Sequence, residues 1–429
     1  MRFEVLPSRV TSAKLTVPGD KSVSHRALML GGIAEGRSNV SGFLAGEDCL
    51  ATLAAMSLMG VTVLRPAPTE LVVHGIGLHG LVAPASELDL GNSGTAMRLM
   101  AGLLSGQNFS SVLSGDASLS SRPMQRVIGP LELMGASIES NAGCPPLTVH
   151  GNPDLQGIDY TLPVASAQVK SAILLAGLYA DGVTTVKEPT VTRDHTERML
   201  VTMGAKLERA NHRISMRGHQ VLQGSDIEVP ADLSSASFIM LAAILAERAD
   251  ILITGVGVNP TRTGVIDILL AMGARIELEN RRLYGAEPIA DIRVRSSSLR
   301  GGVIDPALVS LAIDEFPVLF VAAAAAQGKT VFSGLAELRV KESDRIAAMA
   351  AGLRALGIQV DEVADGATVH GGKFTGGVVE SLGDHRVAMS LAIAGTIAAD
   401  AVVVNDVAAV NTSFPGFTAC LEQLGVVIR

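Results

Sequence analysis

A chain of 429 residues outgrows a single hydrophobic core, so two domains are expected. A net charge of −8, no tryptophan and only 3% aromatic residues exclude the basic stripe and stacking platforms of a nucleic-acid binder. Three scattered cysteines and nine histidines without ligand spacing point to a reducing compartment and no metal site, and the longest apolar run, 316–326, is too short to span a membrane. The expectation is a soluble, cytoplasmic protein.

After a strand-like start at 2–6, one unit recurs six times: an apolar helical stretch ending in Met-Gly or Leu-Gly, then a β-like run. The units lie at 53–63, 131–139, 198–208, 266–277, 349–360 and 420–428, with glycines at Gly60, Gly135, Gly204, Gly273, Gly357 and Gly425. Each glycine can stop its helix in the left-handed conformation without a Cβ penalty. Five units close on a second strand before a small turn, at Gly75, Gly151, Gly218, Gly285 and Gly371. The sixth has no such strand, so the N-terminal run is its expected replacement and both termini are expected in one domain. The spacing is too long for a solenoid, so each unit reads as a small α/β subdomain. Six units divide into three and three: a first domain of 13–230, and a second of 1–12 with 231–429.

Basic residues in short polar turns ahead of apolar helices form the candidate site. In chain order these turns are Pro18-Gly19-Asp20-Lys21-Ser22-Val23-Ser24-His25-Arg26, Gly91-Asn92-Ser93-Gly94-Thr95-Ala96-Met97-Arg98, Ser120-Ser121-Arg122-Pro123-Met124 and Val164-Ala165-Ser166-Ala167-Gln168-Val169-Lys170-Ser171, with Thr192-Arg193-Asp194-His195 beyond. A helix N-terminus offers unpaired N–H groups and a positive dipole end to phosphate or carboxylate. A phosphate-binding loop is ruled out, because Asp20 and Leu15 stand where that template needs glycine. For any one turn, helix capping explains the polar residues; several turns with Arg, Lys or Gln in the same place favour a convergent anion site.

The second half adds acids. Ala312-Ile313-Asp314-Glu315-Phe316-Pro317 sets two carboxylates before an alanine-rich stretch. Leu338-Arg339-Val340-Lys341-Glu342-Ser343-Asp344-Arg345 is read as a charged helix start, and Gly383-Asp384-His385-Arg386 is the matching turn of the next unit. A solvated, salt-bridged face is the plain alternative for 339–345; acid and base beside apolar helices favour an internal charged site.

Through Asp20-Lys21-Ser22-x-Ser24-His25-Arg26, Gly91 to Arg98, Arg339 to Arg345 and Asp384-His385-Arg386, the chain resembles the 5-enolpyruvylshikimate-3-phosphate synthase family over nearly its whole length. The resemblance implies a two-domain inside-out α/β barrel, six repeated subdomains with helices inside and sheets outside. It implies transfer of the enolpyruvyl group of phosphoenolpyruvate to the 5-hydroxyl of shikimate 3-phosphate, by addition and elimination, with no cofactor and no metal. The partners implied are these two small molecules, with no nucleic acid, no membrane and a monomeric protein.

By the same resemblance, shikimate 3-phosphate is held by Lys21, Ser22, Arg26, Ser166, Ala167, Gln168, Arg193, Asp314 and Lys341. Phosphoenolpyruvate is held by Lys21, Gly94, Arg122, Gln168, Arg345 and Arg386. Asp314 is the expected base for the attacking hydroxyl, with Glu342 and Lys21 handling the proton on the methylene carbon. Family members with a bulkier residue at the Gly94 position resist glyphosate, so sensitivity is expected here. Closure of the domains about 12–19 and 224–232 is also implied. The segment Asn411-Thr412-Ser413-Phe414-Pro415 lacks a lysine that some members carry before Phe-Pro, and Ala165 and Ala167 flank Ser166 where some members are serine-rich. The rival acceptor is UDP-N-acetylglucosamine, whose transferase carries a reactive cysteine on a loop where 118–124 has none. A non-catalytic sensor of anionic metabolites is the other alternative, disfavoured by the acids at 314 and 342.

Overall fold

The computed structural model describes residues 1–429. The chain is mixed α/β, with 14 α-helices and six separate sheets. No helix is long and apolar enough to cross a membrane. Two compact units form: a central unit of residues 19–229 with 284–287, and a terminal unit of 1–18, 230–283 and 288–429.

In the central unit, one strand pattern is used three times. Leu88–Asp89 runs parallel to Ser110–Ser114, which is antiparallel to Cys144–His150 and through it to Ser137–Asn141. Asp159–Thr161, Val183–Lys187, Arg213–Arg217 and Leu207–Ala210 repeat it. In the remaining sheet the parallel edge strand is Ile227–Glu228, so the last strand of the unit returns to Glu35–Ser41 near its start.

Parallel neighbours need a crossover, and a helix supplies it. Gly94–Ser105 and Ala167–Gly177 are such crossovers, and Lys21–Gly32 holds the equivalent place before Glu35–Ser41. All three are buried along most of their length, including polar residues near their starts such as His25, Arg26 and Lys170. Gly102 has a packing reason: a Cβ there would fall on the backbone of Ala172, so glycine lets two crossover helices touch backbone to backbone. The second helix of each repeat ends as the sequence predicts, with φ of 93°, 99°, 97°, 96°, 84° and 84° at Gly60, Gly135, Gly204, Gly273, Gly357 and Gly425.

The terminal unit has its own three sheets. Gly377–Glu380 runs parallel to Val402–Asn405, and Arg2–Val5 pairs antiparallel with the latter, in the place where other sheets put their return strand. Glu4 and Arg429 exchange backbone hydrogen bonds of 2.8 and 2.9 Å, joining the two ends of the chain. The crossover helices Leu233–Leu245, Phe316–Ala325 and His385–Gly395 are buried on every side.

Two boundaries differ from expectation. Residues 13–18 were expected with the first domain, but Ala13–Leu15 pairs in parallel with 251–253 and belongs to the terminal unit, where its backbone groups find partners. The tip of the hairpin formed by Arg275–Tyr284 and Glu287–Arg295 clusters with the central unit.

Candidate active site

In the central unit, the three crossover helices start in the polar turns singled out from sequence, and capping and charge fall to different residues. Asp20, Ser93 and Ser166 are the caps, accepting the N–H groups of Val23, Ala96 and Val169 at 2.9, 3.1 and 3.4 Å. The cations beside them have other partners. Lys21 is ion-paired with Asp48. Arg26, buried, donates to the Thr196 hydroxyl at 2.6 Å, the Ser171 hydroxyl at 2.8 Å and the Ser22 carbonyl at 2.9 Å.

Direct bonds tie the three helix starts together. His25 faces the Thr52 hydroxyl through Nδ1 at 2.8 Å and the cap Ser93 through Nε2 at 3.3 Å. Arg98 donates to the Gln168 amide oxygen at 2.9 Å, and Gln168 returns a bond to the Thr95 hydroxyl at 2.9 Å. Arg122 is held by the Asn92 side chain at 2.6 Å and the Ser118 hydroxyl at 3.0 Å. Gly94 lies between two guanidinium groups: a Cβ there would sit 2.8 Å from Arg98 Nη1 and 3.2 Å from Arg122 Nη1. These bonds join the turns that carry Lys21, Ser22 and Arg26, Gly94, Arg122, and Ser166, Ala167 and Gln168.

Burial lowers the Arg26 guanidinium to about 10, opposed by Glu197 and Asp20 and reinforced by Arg193, which places Arg193 in the same field. Burial, then the Lys21 and Arg26 charges, hold His25 well below its usual 6.5 against the smaller pull of Asp20. His25 is thus neutral when folded but gains a proton below pH ~6.5 when unfolded, so its contribution is complete above that pH and is lost as pH falls. Between pH 6.5 and 5.5 the wild type should lose about 1 kcal/mol more stability than His25→Gln, by denaturant titration. Equal losses would show that His25 takes up its proton over the same pH range in the folded and unfolded states.

In the terminal unit, Asp314 sits just ahead of Phe316–Ala325 among three cations. Its carboxylate is 3.4 Å from Arg345, 3.8 Å from Lys341 and 4.0 Å from Arg386, and Arg386 also donates to its backbone carbonyl at 3.0 Å. Arg345 is the hub. It donates through Nε to Asp384 at 2.8 Å and through Nη2 to Glu342 at 2.5 Å, with 1% of its side chain exposed. Burial works against the Arg345 charge, but Asp384, Glu342 and Asp314 more than compensate and raise it above the usual arginine value. Desolvation lowers Lys341, against the opposing attraction of Asp314.

The 338–345 run is not one helix start. Ala336–Val340 is a 3₁₀ turn, and the helix Arg345–Ala355 begins only after the Asp344 cap, leaving Lys341 and Glu342 in the bend between. Both sequence readings of this run hold, for different residues. Arg339 pairs at the surface with Asp344 and Glu362, while Arg345 is internal. Sequence reasoning gave no partner to Lys21, Arg26 or Arg345; Asp48, Ser171, Thr196 and Asp384 fill those places. Of these, Ser171 and Asp384 carried a signal, as members of polar turns singled out ahead of helices.

Comparison with known proteins places the chain in one family. The profile of the family described as EPSP synthase (3-phosphoshikimate 1-carboxyvinyltransferase) matches residues 6–421. The chain is 56% identical to the 3-phosphoshikimate 1-carboxyvinyltransferase of Alkalilimnicola ehrlichii, covering 100% of this chain and 96% of that one. It is also 56% identical to that of Acidithiobacillus ferrooxidans, covering 100% and 99%. The structure of EPSP synthase from Acinetobacter baumannii superimposes with a TM-score of 0.89 at 52% identity, covering 100% of this chain and 99% of that one.

Proposed function

The chain belongs to the EPSP synthase family, and from that premise we propose how its two networks divide the work of a 3-phosphoshikimate 1-carboxyvinyltransferase. The enzyme moves the enolpyruvyl group of phosphoenolpyruvate to the 5-hydroxyl of shikimate 3-phosphate and releases phosphate, a step toward the aromatic amino acids. The methylene carbon of phosphoenolpyruvate takes a proton, the hydroxyl oxygen adds to the adjacent carbon, and the hydroxyl proton leaves. The tetrahedral intermediate then returns a methyl proton and expels phosphate.

One observation carries the residue assignment: Asp314, the candidate base, is set among Lys341, Arg345 and Arg386, the groups an anionic substrate would require. Lys21, Ser22, Arg26, Ser166, Ala167, Gln168, Arg193, Asp314 and Lys341 take shikimate 3-phosphate. Lys21, Gly94, Arg122, Gln168, Arg345 and Arg386 take phosphoenolpyruvate. Arginine forks suit phosphate and carboxylate edges, and fixed positive charge offsets the mutual repulsion of the anions. Glu342 and Lys21 move the proton at the methylene carbon. The Glu342 carboxylate is oriented for this by its bond to Arg345, and the Lys21 ammonium by Asp48. An inside-out barrel in each domain belongs to the same proposal, supported by the buried crossover helices. So do a monomeric state, a cytoplasmic location and the absence of a cofactor.

Gly94 provides the test of the phosphoenolpyruvate assignment. In Gly94→Ala the new methyl presses on Arg98 and Arg122, whose guanidinium ends must shift. The expected result is a phosphoenolpyruvate KM raised ~10-fold or more, a shikimate 3-phosphate KM changed little, and glyphosate inhibition weakened relative to a sensitive wild type. An unchanged phosphoenolpyruvate KM would remove Gly94 from that subsite.

A further inference from the structure

Beneath the Arg26 and Arg193 side of the central unit lies an ion cluster that the reaction does not use directly. Lys170, on the helix Ala167–Gly177, has a fully buried side chain. Its ammonium is 3.0 Å from Glu188 and 2.8 Å from Glu197, whose side chains are 3% and 1% exposed. Burying three charges contributes little to stability compared with an apolar core of the same shape, so such a cluster invites a geometric explanation.

That explanation centres on Thr192. Its N–H donates to Glu188 at 3.2 Å, its hydroxyl donates to the same carboxylate oxygen, and its carbonyl accepts from Lys170 at 3.3 Å. Every polar atom of the residue before Arg193 is thus fixed by two buried side chains. The next residue on the Lys170 helix, Ser171, receives the Arg26 and Thr196 bonds. We propose that Lys170 and Glu188, buried together with Glu197, are positioning residues that preset the Thr192-Arg193 segment for shikimate 3-phosphate. The inference rests on the assignment of Arg193 to shikimate 3-phosphate.

The test compares three variants by KM for each substrate and by calorimetric titration with shikimate 3-phosphate. Lys170→Met alone would strand two buried carboxylates, so it is combined with Glu197→Gln, which keeps the cluster at its original net charge. Thr192→Val removes only the hydroxyl donor and is the least disturbing change. Arg193→Gln serves as the reference. Both cluster variants should raise the shikimate 3-phosphate KM and dissociation constant, ~3–10-fold for Thr192→Val and ~10-fold or more for the pair, with the phosphoenolpyruvate KM within about 2-fold.

Weakened binding in Arg193→Gln with unchanged binding in Thr192→Val would overturn the positioning role. Equal rises in both KM values would also overturn it, because they would indicate general damage. Unchanged binding in Arg193→Gln would instead overturn the assignment on which the inference rests.

Discussion

Asp314→Asn should bind both substrates and lose turnover by ~10²–10⁴-fold, the range that a positioned general base contributes. Asparagine keeps the shape of the side chain. The 3.0 Å bond from Arg386 goes to the backbone carbonyl and survives the change. What disappears is the carboxylate set 3.4 to 4.0 Å from Lys341, Arg345 and Arg386. Removing one negative charge from a subsite for an anion should leave the phosphoenolpyruvate KM unchanged or lower it, so the loss belongs in kcat. Steady-state kinetics with both substrates varied checks this, and near-wild-type kcat would remove Asp314 from the proton transfer.

Arg345→Gln should damage both binding and stability. The guanidinium is the shared counter-charge of Asp384, Glu342 and Asp314, and its own side chain is 1% exposed. Breaking a buried ion cluster from one side leaves carboxylates uncompensated, at a cost of about 3–5 kcal/mol. Glutamine cannot supply a fork to an anion, so the phosphoenolpyruvate KM should rise by ~100-fold or more. Arg345→Lys restores the charge but, as a single ammonium, cannot reproduce donation from both Nε and Nη2, and should recover stability in part and KM only slightly. Calorimetric Tm and KM measured on both variants test this. A lysine variant with wild-type KM would show that charge alone is needed.

The repeat was legible in the sequence because its marker is local. A glycine after an apolar helix has one physical reason to recur, the positive φ found at all six positions. The polar turns before helices were legible on the same ground, since caps such as Asp20, Ser93 and Asp384 work within three residues of their own position. Long-range pairings left no such trace. Nothing near Arg345 in sequence announces a carboxylate 39 residues away, and nothing near Arg26 announces Ser171 at 145 residues and Thr196 at 170.

Lys170 shows the same limit more sharply. In sequence it is one more basic residue in a polar turn; only the fold reveals that it points into the core toward Glu188 and Glu197. The strand Ala13–Leu15 was misassigned because three residues carry no periodicity, and its parallel partner lies in a segment more than 230 residues later.

Phosphate release from phosphoenolpyruvate, measured with shikimate 3-phosphate and with UDP-N-acetylglucosamine as alternative acceptors, tests the central claim most directly. Release with shikimate 3-phosphate alone is the predicted result. Release with the sugar nucleotide alone would contradict the acceptor assignment while leaving the donor in place, and release with neither would contradict a catalytic role for Asp314 and its cations.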